Sequence, residues 1–320
     1  MPNYSGVWSL SQQFQAVGQG LWPPNFDPDG TFAIFALGST VCGASTTRRK
    51  YTYTGAVDSA GGSATVASYT NSAAGTGTVG IFALGQTGSG IVATRDKYTY
   101  SGCVVGAATA ASVASYTGSA AGNSTRGIFS LGLNSSGTRL ATRDKYTYSG
   151  DVVGAGTAAT VASYNAPAAG NSTVGRFALG STSSGNVATR DKYTYSSDTV
   201  TVGGAATSTN GGGAATGNAT VGIFALGTAS GAVVDTRNKY TYSGDVVSAG
   251  GAARVASAYG SAAGNSVAGI FALGYNSSFS KLQTRDTYTY SGCVVSAATA
   301  APAPNAEGSA ASNGTVGVNI

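Results

Sequence analysis

The chain repeats one unit of 47 or 48 residues six times. The tetrapeptide Phe-Ala-Leu-Gly, once Phe-Ser-Leu-Gly, ends at Gly38, Gly85, Gly132, Gly180, Gly227 and Gly274. A second landmark, Thr-Arg-Asp-Lys-Tyr-Thr-Tyr and its variants, places its arginine 10 or 11 residues later, at Arg48, Arg95, Arg143, Arg190, Arg237 and Arg285. The step from each arginine to the next glycine is always 37 residues, so all variation in length lies between the two landmarks. A repeat of this period predicts units that bury a shared core by stacking on one another.

Each unit contains four short segments with the character of β-strands. In the second unit, residues 79–84 are apolar throughout, which is typical of a strand buried on both faces. Residues 94–100 alternate in character, and Ser101-Gly102 predicts a two-residue turn into a hairpin partner. Residues 115–123 are small, as an innermost strand near a crowded axis must be. Composition agrees with a β-rich chain, since 49 of 320 residues are glycine and only 9% are charged.

Four strands per unit, six times over, predict an all-β fold, a six-bladed β-propeller with four-stranded blades spanning residues 30–320. The carboxyl end offers a test of ring closure. Residues 308–317 match the inner-strand signature Ser-Ala-Ala-Gly-Asn, whereas residues 25–29, before the first landmark, do not. We therefore expect the C-terminal strand to complete the first blade and close the ring.

The order of these segments resembles a known repeat. A strand ending in glycine, a variable loop, a Tyr-x-Tyr strand and a hairpin are similar to the kelch repeat, in a degenerate form found in proteins of tailed-bacteriophage virions. The resemblance covers residues 30–316. It departs from standard kelch units in having one glycine where a pair is usual and no tryptophan in the fourth strand. It implies a propeller that serves as a structural protein of a phage virion.

Residues 1–29 are not a degenerate blade. Ser9-Leu10-Ser11-Gln12 fits a capping box, and the predicted anchor consists of Trp8, Leu10, Phe14, Val17 and Trp22, with the three residues between the tryptophans on one face of a short helix. Such a helix is too short to fold alone, so it packs either on the propeller or on another protein. The segment resembles the leader that opens many phage tail and fibre-like proteins, which implies that residues 1–24 dock to another virion protein.

Composition weighs against catalysis and metal binding. The chain has no histidine and one glutamate, Glu307, whereas general bases and zinc ligands are mostly His, Cys or a tuned carboxylate. We expect no enzymatic activity, metal or cofactor. Cys42, Cys103 and Cys293 are an odd number without paired spacing, so we expect free thiols. The sequence has no apolar run that could cross a membrane and no secretory signal. With these features, the resemblance to phage proteins implies assembly in the host cytoplasm and a place in the virion.

The charged residues of the second landmark are predicted to hold the blades together. Twelve of the 17 basic residues lie on this repeated strand, spread around a ring rather than gathered in a patch for nucleic acid. Because neighbours in a strand point to opposite faces, each aspartate should meet a basic residue of the adjacent blade. The predicted inter-blade residues are Arg95, Asp96, Arg143, Asp144, Arg190, Asp191, Arg285 and Asp286. Asn238 and Arg49 are exceptions, because each stands where the other units have aspartate.

The loops between the two landmarks are the predicted functional surface. They span residues 39–46, 86–93, 133–141, 181–188, 228–235 and 275–283, and all should emerge on one face of the ring. Rigid scaffolds often bind partners through such loops. The bulky binding candidates are Leu133, Arg139, Tyr275, Phe279 and Lys281. The leading hypothesis is a tail-associated fibre or adhesin module that meets a host-surface glycan or protein. The rival is a capsid or tail decoration protein without a receptor.

Overall fold

The computed structural model describes residues 32–36, 38–178, 180–225 and 227–314. In this part of the chain, six antiparallel four-stranded sheets form the blades of a closed ring. The innermost strand of every blade contacts the innermost strands of both neighbouring blades. The chain is a six-bladed β-propeller, as the repeat predicts.

Each blade has four strands in sequence order from the axis to the rim, except that the first blade takes its inner strand from the carboxyl end. The inner strands are Ser309–Ser312, Ser72–Gly75, Ser119–Gly122, Ala168–Gly170, Ala214–Gly217 and Ser261–Gly264. The second strands are Phe32–Ala36, Val79–Ala83, Arg126–Ser130, Val174–Ala178, Val221–Ala225 and Ala268–Ala272. The third strands are Arg48–Thr52, Arg95–Thr99, Arg143–Thr147, Arg190–Thr194, Arg237–Thr241 and Arg285–Thr289. The outer strands are Val57–Ala60, Val104–Ala108, Val152–Gly156, Thr199–Gly203, Val246–Ala249 and Val294–Ala298.

Shorter elements fill the connections. The two-residue strands are Ser39–Thr40, Gly43–Ala44, Ser68–Tyr69, Gln86–Thr87, Gly90–Ile91, Ser115–Tyr116, Leu133–Asn134, Ser181–Thr182, Gly185–Asn186, Thr228–Ala229, Ala232–Val233 and Asn305–Ala306. The 3-10 turns are Thr54–Ala56, Ser101–Cys103 and Ser243–Asp245. The hairpin turn of the second blade is longer than predicted. Thr99 pairs with Val104, so residues 100–103 form the loop, in which Gly102 has φ of 79° and Cys103 has φ of 54°.

The ring closes through its two ends. The strand Ser309–Ser312 pairs antiparallel with Phe32–Ala36. Next to it, the Phe32 backbone N–H donates to Asn313 Oδ1 over 3.0 Å. The predicted closure by the C-terminal strand is therefore confirmed, and two segments about 280 residues apart become neighbours in one sheet.

Aromatic side chains fill the space between blades while alanines line the crowded axis. In the second blade, the rings of Phe82 and Tyr98 are fully buried and meet edge to face, with 6.4 Å between centroids. Ala73 and Ala74 of the inner strand are fully buried as well. Larger rings therefore pack where the blades splay apart, and methyl groups pack where they converge.

Buried ion pairs join most blades to the next. In four seams, an arginine of the third strand bonds through Nη2 to an aspartate of the following blade over 2.8 or 2.9 Å: Arg48–Asp96, Arg95–Asp144, Arg143–Asp191 and Arg237–Asp286. Each of these guanidinium groups also lies over a phenylalanine ring of that next blade, 4.4 to 4.6 Å from the centroid. Pairing neutralises charges that would be expensive to bury alone.

The seam between blades four and five departs from this pattern. Arg190 Nη2 donates to Asn238 Oδ1 over 3.2 Å, so its partner is an amide rather than a carboxylate. Burial lowers the pKa of Arg190 to about 10. Beside it lies buried Arg176, which replaces the isoleucine of other second strands and forms an ion pair with Asp245. This seam holds two buried guanidinium groups and one partly exposed carboxylate.

The seam between blades six and one obtains its carboxylate from a different strand. Arg49 stands where other blades have aspartate, so Arg285 has no acid at the usual place. Asp58 of the outer strand supplies it: Arg285 Nη1 lies 2.6 Å from Asp58 Oδ1, and Arg49 Nε donates to Asp58 Oδ2 over 2.8 Å. Among the predicted inter-blade residues, Arg285 thus bonds to the first blade, whereas Asp286 bonds to Arg237 of the fifth blade.

Candidate functional site

Six residues, one per blade, form a closed ring of backbone hydrogen bonds around the axis. They lie just before the inner strands and are Glu307, Thr70, Thr117, Asn165, Gly212 and Tyr259. The N–H of each donates to the carbonyl of the residue in the preceding blade, over distances from 2.5 to 3.2 Å. We call these six residues the axial ring. The ring fixes their backbones around one centre.

The axial ring holds its residues in an uncommon backbone conformation. All six have positive φ, between 53° and 62°. Glycine adopts this region readily, but β-branched Thr70 and Thr117 and bulky Tyr259 do so rarely. Such conformations persist where surrounding structure enforces them, and they concentrate at functional sites.

The glycine that ends each Phe-Ala-Leu-Gly landmark lets the chain approach the axial ring. At Gly85, φ is 64°, and a Cβ would lie 2.6 Å from the carbonyl oxygen of Thr70. A side chain at this position would push the ring apart. The landmark glycine of the sequence is therefore a structural support of the axial site.

The axial ring surrounds an open hollow on one face of the propeller. Its volume is about 510 Å³ including the space open to solvent, and Gly118, Gly213, Gly260 and Gly308 contribute to its wall. Ser72 pairs with Ala83, and Ala83 pairs with Arg95, so the axial ring and the variable loops lie at the same end of each blade. We call this end the loop face.

Glu307 is the acidic group of the hollow. Its carboxylate makes no hydrogen bond or ion pair with the described residues. Burial raises the pKa of Glu307 above its usual value, against the opposing effect of the Lys281 charge. An unpaired, half-buried carboxylate in a hollow is a common feature of binding and catalytic sites.

Tyr259 lines the hollow together with Glu307. Burial, together with the charge of Glu307, raises the pKa values of Tyr69, Tyr259 and Tyr275. The rings of Tyr259 and Tyr275 meet edge to face with centroids 6.2 Å apart. The Tyr259 ring lies over Gly212, where a Cβ would be 2.9 Å from Cε1.

Hydroxyl groups complete one side of the hollow. Thr70 Oγ1 donates to the Tyr69 carbonyl, and Thr117 Oγ1 donates to the Tyr116 carbonyl, each over 2.6 Å. Since the single proton of each hydroxyl is engaged, both oxygens can only accept further hydrogen bonds. Blades one, two and three thus contribute neighbouring acceptor groups.

The variable loops are more ordered than predicted. The loop of the first blade forms a ribbon, in which Ser39–Thr40 pairs with both Gly43–Ala44 and Asn305–Ala306. The loop of the second blade does the same with Gln86–Thr87, Gly90–Ile91 and Ser68–Tyr69. These ribbons brace the segments that precede the axial ring.

Most of the bulky loop candidates are engaged within the propeller. Leu133 is only 9% exposed, so its prediction as a contact residue is wrong: its strand pairs with Ser115–Tyr116 and turns the side chain inward. The Arg139 guanidinium lies over the Tyr164 ring, 5.3 Å from the centroid. Lys281 Nζ donates to Ser39 Oγ over 2.8 Å and to the Thr40 carbonyl.

The remaining two candidates differ from each other. Tyr275 lies beside Tyr259 at the rim of the hollow. Phe279 is 74% exposed, with φ of 57°, at the tip of the loop in the sixth blade. Of the two, Tyr275 therefore contacts a residue that lines the hollow, whereas Phe279 lies in solvent.

The predicted anchor lies outside the described residues. This applies to Trp8, Leu10, Phe14, Val17 and Trp22. Its helix and its docking partner stay predictions.

The axial ring was missed by the sequence interpretation, although a signal for it exists. Aligning the six units places Thr70, Thr117, Asn165, Gly212, Tyr259 and Glu307 in one column. This column varies in size, polarity and charge, whereas the following strand is nearly constant as Ser-Ala-Ala-Gly. A variable column next to a nearly constant inner strand points to the axis.

Metal-binding and membrane-spanning elements were considered only for the described ranges of the chain. Within them, no three His, Cys, Asp or Glu residues come together as metal ligands. No helix of the described residues has the length and apolar character to span a membrane. Cys42, Cys103 and Cys293 are free thiols.

Comparison with known proteins supports the architecture. The chain is similar to the solved structure of YjhT, with a TM-score of 0.67 and 10% sequence identity, over 85% of this chain and 98% of that one. The likeness shows the fold. No protein-family profile and no curated protein matches the sequence.

Proposed function

We propose that the protein is a non-enzymatic binding module of a tailed-phage virion, which presents its loop face to the host surface. The observation that supports this most is the axial hollow, which Glu307 lines without a partner for its carboxylate. A closed ring with buried ion pairs is a rigid scaffold, and a rigid scaffold with one polar concave face suits recognition.

Binding suits the hollow better than catalysis does. Acid–base chemistry usually pairs two titratable groups with different pKa values. Among the described residues that line the hollow, Glu307 is the acid, and the others are Thr, Asn, Ser, Ala, Gly and Tyr. Lys281 is engaged with the first blade. One carboxylate without a partner can select a ligand by charge.

The virion location rests on the sequence. The kelch-like units and the leader both resemble phage structural proteins, and we propose that residues 1–24 dock the protein to the tail. A decoration protein is the rival. The unpaired carboxylate of the hollow favours a receptor role, because a face without a ligand has no need of a half-buried acid without a partner.

Two experiments separate these roles. The full chain is tested for binding to a panel of bacterial envelopes, and the same chain lacking residues 1–24 is tested for incorporation into virions. An adhesin binds at least one envelope, and its truncated form keeps its circular dichroism spectrum but is lost from particles. Absence of binding across the panel, with normal incorporation, would support a decoration protein instead.

A further inference from the structure

We infer that the axial hollow receives a primary ammonium group, carried by a lysine side chain of the protein partner. The inference deepens the proposed function, because it names the chemistry recognised on the loop face. It rests on the acceptors, the charge and the aromatic rings that converge at the axis.

The acceptor groups match an ammonium in number. The Glu307 carboxylate, Thr70 Oγ1 and Thr117 Oγ1 belong to three consecutive members of the axial ring. Both hydroxyl protons are engaged with backbone carbonyls, so the three groups offer lone pairs only. A lysine ammonium has three donors and no acceptor, which complements this arrangement.

The charge of the hollow also selects a cation. The chain carries a net charge of +5, yet the charged residue lining the hollow, within the described ranges, is acidic Glu307. The neighbouring cation does not neutralise it. Lys281 directs its ammonium to Ser39 Oγ and the Thr40 carbonyl, and it forms no ion pair with Glu307. An incoming ammonium would therefore find a carboxylate without a partner.

The aromatic rings suit the stem of a lysine. Tyr259 lines the hollow together with Glu307, and the Tyr275 ring packs against the Tyr259 ring. Alkyl stems pack on such rings while their charged ends reach polar groups. The rings also attract cations through their faces. Lys281 of this chain already shows the geometry, with Nζ lying 5.8 Å from the Tyr275 centroid.

A thin ligand fits better than a broad one. The wall between the axial residues is mostly glycine, at Gly118, Gly213, Gly260 and Gly308, and the backbones that carry the three acceptors are joined by hydrogen bonds around the axis. A linear side chain can enter such a hollow along the axis. An anionic ligand would meet the carboxylate, and among the lining residues that the structure describes no cation compensates it.

The test uses the full chain with Nα-acetyl-lysine methylamide as the probe. Binding is measured at low ionic strength by ligand-observed NMR and by calorimetry. Glu307→Gln keeps the shape and removes the charge. Asp235→Asn is the matched control, since Asp235 is exposed on a loop of the same face and the change in net charge is equal. Nα-acetyl-norleucine methylamide controls for the stem without the ammonium.

The inference predicts that the lysine probe binds the unaltered chain and the Asp235→Asn variant alike. It predicts about tenfold or greater weakening for Glu307→Gln and no binding of the norleucine probe. Equal weakening in both variants would show general electrostatic attraction and overturn the inference. So would binding of the norleucine probe, or no binding of the lysine probe at tens of millimolar. Tighter binding of glucosamine than of the lysine probe would contradict a lysine ligand.

The envelope assay keeps this inference separate from the proposed function. If Glu307→Gln binds envelopes as well as the unaltered chain does, the ammonium site is wrong and the adhesin role stands. If the lysine probe binds as predicted while no envelope binds, the site stands and the adhesin role fails.

Discussion

At the residue scale, the charged carboxylate of Glu307 lowers the free energy of unfolding, because the folded protein partly buries it. Burial raises the pKa of its carboxyl group, so the folded chain binds this proton more tightly than the unfolded chain does. The ionised carboxylate therefore lowers the free energy of unfolding at any pH above the pKa that Glu307 has in the folded protein. Below the unfolded pKa, both states are protonated and the penalty is absent.

The first prediction follows from that sign. Glu307→Gln should raise the melting temperature at pH 7, because the amide carries no buried charge. The gain should shrink as pH falls through the raised pKa and vanish below about 4, the usual value for glutamate. Thermal unfolding across this range measures it. A stabilisation that persists unchanged in acid, or a loss of stability at neutral pH, would contradict the account of Glu307.

A second residue-scale prediction concerns the seam between blades four and five. Asn238→Asp should supply Arg190 with the carboxylate that the corresponding arginine has in four other seams, and Thr207 is placed to bond to it as Thr65 bonds to Asp96. The free energy of unfolding should rise. Chemical denaturation provides the measurement.

The matched control makes the reverse change in another seam. Asp144→Asn leaves Arg95 with an amide partner, as Arg190 has now. It should lower the free energy of unfolding by about 1–3 kcal/mol, the usual effect of weakening the partner of a buried polar group. If both variants shifted stability in the same direction, the carboxylate would not be what the seam lacks.

At the element scale, the strand Ser309–Ser312 decides whether the ring is closed. It supplies the inner strand of the first blade and contacts the inner strands of the second and sixth blades. Without it, Phe32–Ala36 would expose an unpaired edge beside the axis, and exposed edges invite association between chains.

The third prediction concerns a chain that lacks this strand and a peptide that replaces it. A chain ending at Gly308 should unfold at a lower temperature and associate in solution. A synthetic peptide of residues 309–314 should restore the melting temperature when added in excess, because it binds only the folded ring. A peptide with Ala310 and Ala311 replaced by Asp is the control. Full stability of the truncated chain would contradict closure by this strand.

Elements that repeat in every unit could be predicted from the sequence, whereas elements that vary between units could not. The inner strand at the carboxyl end could be predicted because Ser-Ala-Ala marks the inner strand in four of the six units. The ribbons within the loops could not, since two-residue strands such as Gly90–Ile91 leave no periodic pattern. The role of Asp58 was hidden too, because it bonds from an outer strand that carries valine at this place in the other blades.

The contacts of the seams and of the candidate site differ in the same way. The arginine and aspartate pairs of the seams follow from strand alternation, as in Arg95–Asp144. The axial ring depends on six backbones that meet only when the circle closes, so Thr70 and Glu307, 237 residues apart in the sequence, look unrelated before folding. Local patterns do not encode such contacts.

At the scale of the whole molecule, the two faces of the propeller are built from different elements. The loop face combines the axial hollow, the ribbons and Phe279. The opposite face is built from turns that join blades to one another, since Asn123 Nδ2 donates to the Ser172 carbonyl and Asn171 Nδ2 donates to the Ala219 carbonyl. These asparagines lie in turns, and their amides bond to the neighbouring blade.

The separation of faces gives the most direct test of the central claim, that the protein recognises its partner through the axial hollow. Hydrogen exchange is measured by mass spectrometry on the full chain, free and bound to an envelope that retains it. The account predicts slower exchange in the segments around the axial ring, residues 68–72, 115–119, 257–261 and 305–309. Protection confined to the turns of the opposite face, residues 76–78 and 123–125, would contradict it.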